Sequence, residues 1–570
     1  MAWIRETVTP IALGDWTIEV RDDDLSVIRY RGADVLRSIR PVARDRNWAT
    51  PQWRIGGIEE LPNGIRMALR TTQLGSDLDA SLTATASGAA LEVVFEATSA
   101  IDFQTNRTGL VVLHPPQLAG TALRVVHASG GEERTAFPGD IAPHQPAFDI
   151  ARLAWEHDGL AIECAFAGDV FEMEDQRNWT DASFKTYSRP LAEPFPYPIA
   201  AGETVRQAIS VTAAPRRAAE AAAAADPAAA EALELADAGA MPAVSVGAST
   251  APGDAPPADP IGTDLLVEVD LGWRGWPSAL DRAARGGLPL DVRLVLPESG
   301  TEEAIAAAAR AVARLEVARV TAFQPAGHEA QHVSDAAAIA LLREALADAG
   351  ADAPVIGGAR SHFTELNREH HRLPADLDGV CFSATPMFHA VETLQVEESV
   401  AMQRLVAEQA VRIANGAPVH VGPVTLRTHV NNVATVAPPR PAGADVSEGY
   451  GPELLDADDE RQSALELSAW VIASAVALSV PGVATLSYFE EWGPRGIRTA
   501  DGDDLPAAEA VRALAPLAGL PLRTARSADG LVWALQAGGT TLATNISAST
   551  RTIEVGGATL ALPPRTWRRV

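Results

Sequence analysis

At 570 residues, 47% of them hydrophobic and 21% charged, the chain is long enough for several packed domains and too apolar for wholesale disorder or a fibrous repeat. Its formal charge of −28 opposes polyanionic nucleic acid and anionic membrane surfaces, and no basic run offsets that charge locally. No stretch approaches the ~20 apolar residues of a membrane span, the first residues lack the basic and apolar regions of a secretory signal, and the only cysteines, Cys164 and Cys381, fit a reducing compartment. A cytoplasmic protein with no nucleic-acid or membrane partner is expected.

Residues 1–215 read as strand after strand. Trp16-Thr-Ile-Glu-Val, Leu91-Glu-Val-Val-Phe, Leu110-Val-Val-Leu and Ala161-Ile-Glu-Cys-Ala-Phe alternate or are β-branched, and Gly, Pro, Asn and Asp turns separate them. This predicts an N-terminal β-sandwich. An Ala/Glu-rich run broken at Pro227 predicts a helical linker over 216–240. Over 241–520 the rhythm changes to short apolar strands at 243–247, 265–271, 291–296, 317–323, 354–358, 379–383, 419–426 and 483–489, with helices at 301–315, 334–349, 397–415 and 459–478. Eight strands alternating with helices predict a (β/α)8 TIM-like barrel, its first crossover a Pro-rich loop instead of a helix. Strands return over 521–570, a small C-terminal β domain.

A barrel places its chemistry at the C-terminal ends of its strands. Past the fifth predicted strand come His362, Glu365 and Asn367; past the sixth, His389; past the seventh, Arg427 and His429; and at the end of the eighth, Tyr488 and Glu490. Glu365 and Glu490 lie on strand ends three strands apart, a spacing that lets two carboxylates face each other across the mouth for acid/base or nucleophile/acid work. They are the expected catalytic pair, and the neighbouring Glu491 is expected to be solvated. No His-x-His, His-Glu-x-x-His or paired-cysteine spacing is present, so no metal is expected. Nothing in the sequence demands a cofactor.

The sandwich carries one unusual stretch, 171–188, too polar for a core strand and holding Asn178, Trp179, Tyr187 and Lys185, the single lysine among 46 basic residues. Where coding bias replaces lysine by arginine, a surviving lysine marks a place for a compact ammonium. A long polar insertion beside a barrel can reach over its mouth, or form a turn network whose Asn and Asp side chains satisfy its own backbone. These four residues join His362, Asn367, His389, Arg427, His429 and Tyr488 as expected substrate ligands.

The run Glu174-Asp-Gln-Arg-Asn-Trp-Thr-Asp-Ala-Ser-Phe-Lys-Thr-Tyr, with Phe363-Thr-Glu-Leu-Asn-Arg, Pro423-Val-Thr-Leu-Arg and Tyr488-Phe-Glu…Gly493-Pro-Arg-Gly, resembles the D-apionate lactonase family. That resemblance implies a hydrolase opening D-apionolactone, or a related aldonolactone, to the aldonate in D-apiose catabolism. Its substrate partner would be a sugar lactone, with one Glu, here Glu490, as general base and Glu365 as acid. The architecture is also similar to barrel glycoside hydrolases, whose large retaining clan carries its two Glu after strands four and seven, where the count here gives five and eight. The alternative is accordingly a retaining glycosidase with Glu490 as nucleophile and Glu365 as acid/base. A third reading, a non-catalytic carbohydrate-binding protein, would keep the aromatic platforms without needing both Glu. The sequence leaves the oligomeric state open.

Overall fold

The structure, a computed structural model, describes residues 3, 7–216, 230–251, 253–256, 259–428, 430 and 459–570. His429 and most of the expected helical linker lie outside them.

The N-terminal sandwich is built of strands joined in one 17-stranded antiparallel network. Their alternating inward residues, among them Trp16, Ile28, Phe95, Phe137 and Ile209, form its core. The barrel follows. Its eight strands are Ala243–Gly247, Leu265–Asp270, Leu290–Val295, Val317–Phe323, Gly357–His362, Val380–Ala384, Val419–Val424 and Val483–Glu490. They pair in parallel around the ring, and the fourth and fifth close it through a bridge between Val320 and Val355. The predicted and observed strands agree closely except at the fifth, which starts later than Pro354. There Gly358, at φ 144, lets the strand press against its neighbour, since a Cβ would lie 2.0 Å from the Cys381 carbonyl.

The helices obey local rules. Ala336–Ala349 starts where the Asp335 carboxylate accepts the Ala338 N–H at 3.0 Å and stops at Gly350 in the left-handed region. Leu467–Leu478 is apolar all round because both of its faces are covered. It packs on the barrel and also meets the C-terminal sheet, where the Thr544 hydroxyl donates to the Ala469 carbonyl at 3.0 Å.

Residues 231–240 correct the expected linker. Glu231–Ala232 pairs with Arg551–Val555, and Ala236–Ala240 forms the edge of the five-stranded C-terminal sheet beside Pro521–Arg526. Leu233 lies between them, buried with Val532, Ile553 and Leu562. Tertiary pairing overrides alanine's helix propensity here, so the C-terminal domain takes strands from both sides of the barrel in sequence.

The polar stretch of the sandwich lands on the ends of the fifth and sixth barrel strands. The Thr180 hydroxyl donates to the Thr385 carbonyl at 3.0 Å, and the Asn367 amide donates to Asn178 at 2.9 Å. Arg37 of the sandwich pairs with Glu398 on the barrel helix Thr393–Ala414.

Candidate active site

Glu490 closes the eighth strand, and the residue before it, Phe489, has φ 52. A bulky residue in the left-handed region costs ~1–3 kcal/mol and persists only where packing imposes it. Here the strand register slips, pairing Gly247 of the first strand with Glu490. The Glu490 carboxylate is nearly buried, and three donors fix it. Thr250 N–H lies 3.0 Å away, the Thr250 hydroxyl 2.7 Å and Arg495 Nε 3.0 Å. Arg495 also contacts the Thr250 hydroxyl.

Glu490 lines a cavity with about 680 Å³ of empty space, including its open mouth, between the first, second, seventh and eighth strands. Arg427, Arg495, Gln462, Thr250, Thr425 and Glu268 supply the rest of its polar lining, and Leu266, Phe489 and Pro423 part of the apolar remainder. Arg427 is held by Asp459 at 2.8 Å. Glu268 pairs with Arg360, which reaches it from the fifth strand at 2.9 Å. A concave, mainly apolar site with a few fixed polar groups suits a small molecule.

The placement on strands five and eight is as counted, yet the two carboxylates occupy different surroundings. Glu365 is the third residue of the helix Phe363–Glu369, buried, with His332 Nδ1 3.8 Å from its carboxylate. Glu490 lines the cavity and Glu365 does not. Donor atoms of Glu365, His332 and Glu369 lie within 4.8 Å of one another, a group that could hold a cation, although Arg372 already sits 3.1 Å from Glu369. Sequence spacing missed this group because His332 comes from the loop after the fourth strand.

Of the expected substrate ligands, Arg427 lines the cavity. Lys185, Trp179 and His389 gather where sandwich meets barrel, and Lys185 also lies over the Tyr187 ring within the sandwich. Lys185 ion-pairs with Glu174 in a largely buried setting. Burial would raise the Glu174 carboxyl, but the Lys185 ammonium brings it down to about 2. His389 meets Asp181 at 2.8 Å, and burial holds its imidazole well below the usual range. Trp179 stacks on Phe388, ring centres 6.0 Å apart, and Phe388 meets His362 edge-on at 4.7 Å. The Tyr187 hydroxyl donates to Glu172 beneath the Arg107 guanidinium.

Three others are engaged in the scaffold. Asn178 donates to the carbonyls of Ala142 and Asp175, and Asn367 donates to that of Ile141 while accepting from Gln409. The fully buried Tyr488 hydroxyl donates to Ser474. Polar residues near strand ends served here to join domains, which composition cannot distinguish from ligand binding. Glu491, expected to be solvated, is half-buried, and burial raises its carboxyl to about 7 against Arg498 and Arg282. Thr250 and Glu268 were missed; the available signal for Glu268 was a lone acid inside the apolar run Leu-Leu-Val-Glu-Val.

Comparison with known proteins fits this architecture. The family model for the D-apionate lactonase N-terminal domain matches residues 3–216, and that for the D-apionate lactonase TIM barrel domain matches residues 260–519. A D-apionate lactonase from Brucella anthropi is 29% identical over 526 residues, spanning 87% of this chain and 84% of its own. Among solved structures, a putative aldose 1-epimerase from Escherichia coli K12 aligns at 12% identity and TM-score 0.29, over 37% of this chain and all of its own. A GH36 alpha-galactosidase from Geobacillus stearothermophilus aligns at 9% identity and TM-score 0.27, over 99% of this chain and 100% of its own. With both domain models matched in order and a curated relative aligned through sandwich and barrel, the chain is a hydrolase of the D-apionate lactonase family.

Proposed function

We propose that the protein opens a sugar-derived lactone, D-apionolactone or a close aldonolactone, to the aldonate in the cavity around Glu490. The observation that carries this reading is a carboxylate at a strained strand end, aimed by Thr250 and Arg495 into a small polar-and-apolar cavity. Glu490 takes a proton from water as its oxygen attacks the lactone carbonyl. The carbonyl's electron pair moves onto its oxygen, where the cationic Arg427 and Arg495 side chains favour the developing charge. As the tetrahedral intermediate collapses, the bond between acyl carbon and ring oxygen breaks. Glu490 then returns its proton to that oxygen, leaving the hydroxy acid. One carboxylate thus serves as base and then acid, and Glu365, outside the cavity lining, is assigned no proton transfer.

A retaining glycosidase needs two carboxyls ~5–5.5 Å apart about one bond; Glu365 lies outside this cavity, and the second carboxylate that lines it, Glu268, is held by Arg360. The test is a parallel assay on D-apionolactone, other aldonolactones and nitrophenyl glycosides. Lactone opening well above the spontaneous rate, without glycoside cleavage, is the expected result. Glycoside release with inert lactones would overturn the reading.

A further inference from the structure

Resting on that reading of the cavity, we propose that Glu268 anchors a hydroxyl group of the substrate, so that the enzyme selects hydroxylated lactones over unsubstituted ones. Glu268 lies on the second barrel strand, Leu265–Asp270, where Val267 and Val269 are buried in the barrel core and the alternate residues Leu266 and Glu268 line the cavity. On the first strand, Gly247 pairs with Leu266 on one side and with Glu490 on the other. Glu268 and Glu490 therefore come from strands two apart, with backbones about 10 Å from each other. The residue between those strands, Gly247, has no side chain to fill the gap; even a Cβ would lie 2.8 Å from the Phe489 carbonyl. Both carboxylates thus face one small volume from different sides.

The partner of Glu268 defines its chemistry. Arg360 donates through Nε at 3.1 Å and through a terminal nitrogen at 2.9 Å, both to Oε1. A carboxylate offers about four acceptor sites, so one held by a guanidinium is still suited to receive a substrate hydroxyl. Elsewhere in the barrel, Arg319 joins Asp264 and Asp291 in a buried ion cluster that does not line this cavity. Glu268 differs by lining the cavity that holds Glu490.

The test measures kcat/KM of wild type and Glu268→Gln on two five-membered lactones, 2,3-dihydroxy-γ-butyrolactone and γ-butyrolactone. Where turnover of γ-butyrolactone is too slow to follow, its inhibition constant is used instead. The variant should lose about 10- to 100-fold on the dihydroxylated lactone, as for loss of a hydrogen bond to a charged group. Its loss on γ-butyrolactone should be at least about fivefold smaller than that on the dihydroxylated lactone. Because Glu268→Gln leaves Arg360 without its anionic partner, Glu268→Gln/Arg360→Gln is measured alongside, and the same loss of discrimination is expected. Equal losses on both lactones, or no loss on the dihydroxylated one, would overturn the proposal. A wild-type enzyme that opens neither lactone nor any aldonolactone would instead overturn the function on which it rests.

Discussion

Glu490 and Lys185 show two uses of a charged side chain in one chain. Glu490 lies in a cavity, its geometry set by the left-handed Phe489 and by donors from Thr250 and Arg495. Lys185 is enclosed at the domain junction with Glu174, and His389 and Asp181 lie close by. A buried pair is costly to break from one side, ~3–5 kcal/mol, because the remaining charge has no partner. Lys185→Met should therefore lower stability, with a characteristic pH dependence. The Glu174 carboxyl is held at about 2 in the folded state, below its ordinary value of 4.5. Its stabilising contribution is fully present above that ordinary value and is lost as pH falls toward 2. Urea denaturation across that range should show the gap between wild type and variant opening as pH rises. A gap independent of pH would contradict the assignment.

At the level of elements, much was readable from sequence because local and tertiary preferences agree. The first and fourth barrel strands fall where alternation and β-branching place them, and the helix beginning after Asp335 follows its cap. The 231–240 segment failed because alanine-rich sequence favours a helix, whereas Leu233 is held by a sheet more than 280 residues away in sequence, as the 288-residue separation of the Arg523–Leu235 bond shows. Leu233→Ala should cost ~2–5 kcal/mol, the range for truncating a buried leucine, read as a lower melting temperature. An unchanged melting temperature would argue that this segment does not belong to the C-terminal core. The site was partly readable for the same physical reason. Glu490 and Arg427 could be found from strand ends, but the Glu268–Arg360 pair spans the barrel from the second strand to the fifth and has no signature in sequence spacing.

Over the whole molecule, the sandwich acts as a fixed cover for one side of the barrel rim. Its contacts there are specific: Asn178 with Asn367, Thr180 with the Thr385 carbonyl, Arg37 with Glu398, and the Ile141 backbone with Gln409. Most of the polar residues that stood out in sequence serve this junction, which leaves the cavity over the first, second, seventh and eighth strands to Glu490. Among the described residues, no helix is long and apolar enough to cross a membrane. Under the proposed function this cavity performs hydrolysis with Glu490 as its proton-transferring group. The most direct measurement compares kcat for D-apionolactone opening by wild type, Glu490→Gln and Glu365→Gln, each verified as folded by circular dichroism. Glu490→Gln should lose ~10²–10⁴-fold while Glu365→Gln keeps kcat within about tenfold of wild type; an active Glu490→Gln enzyme, or a Glu365→Gln enzyme as inert as that variant is expected to be, would contradict it.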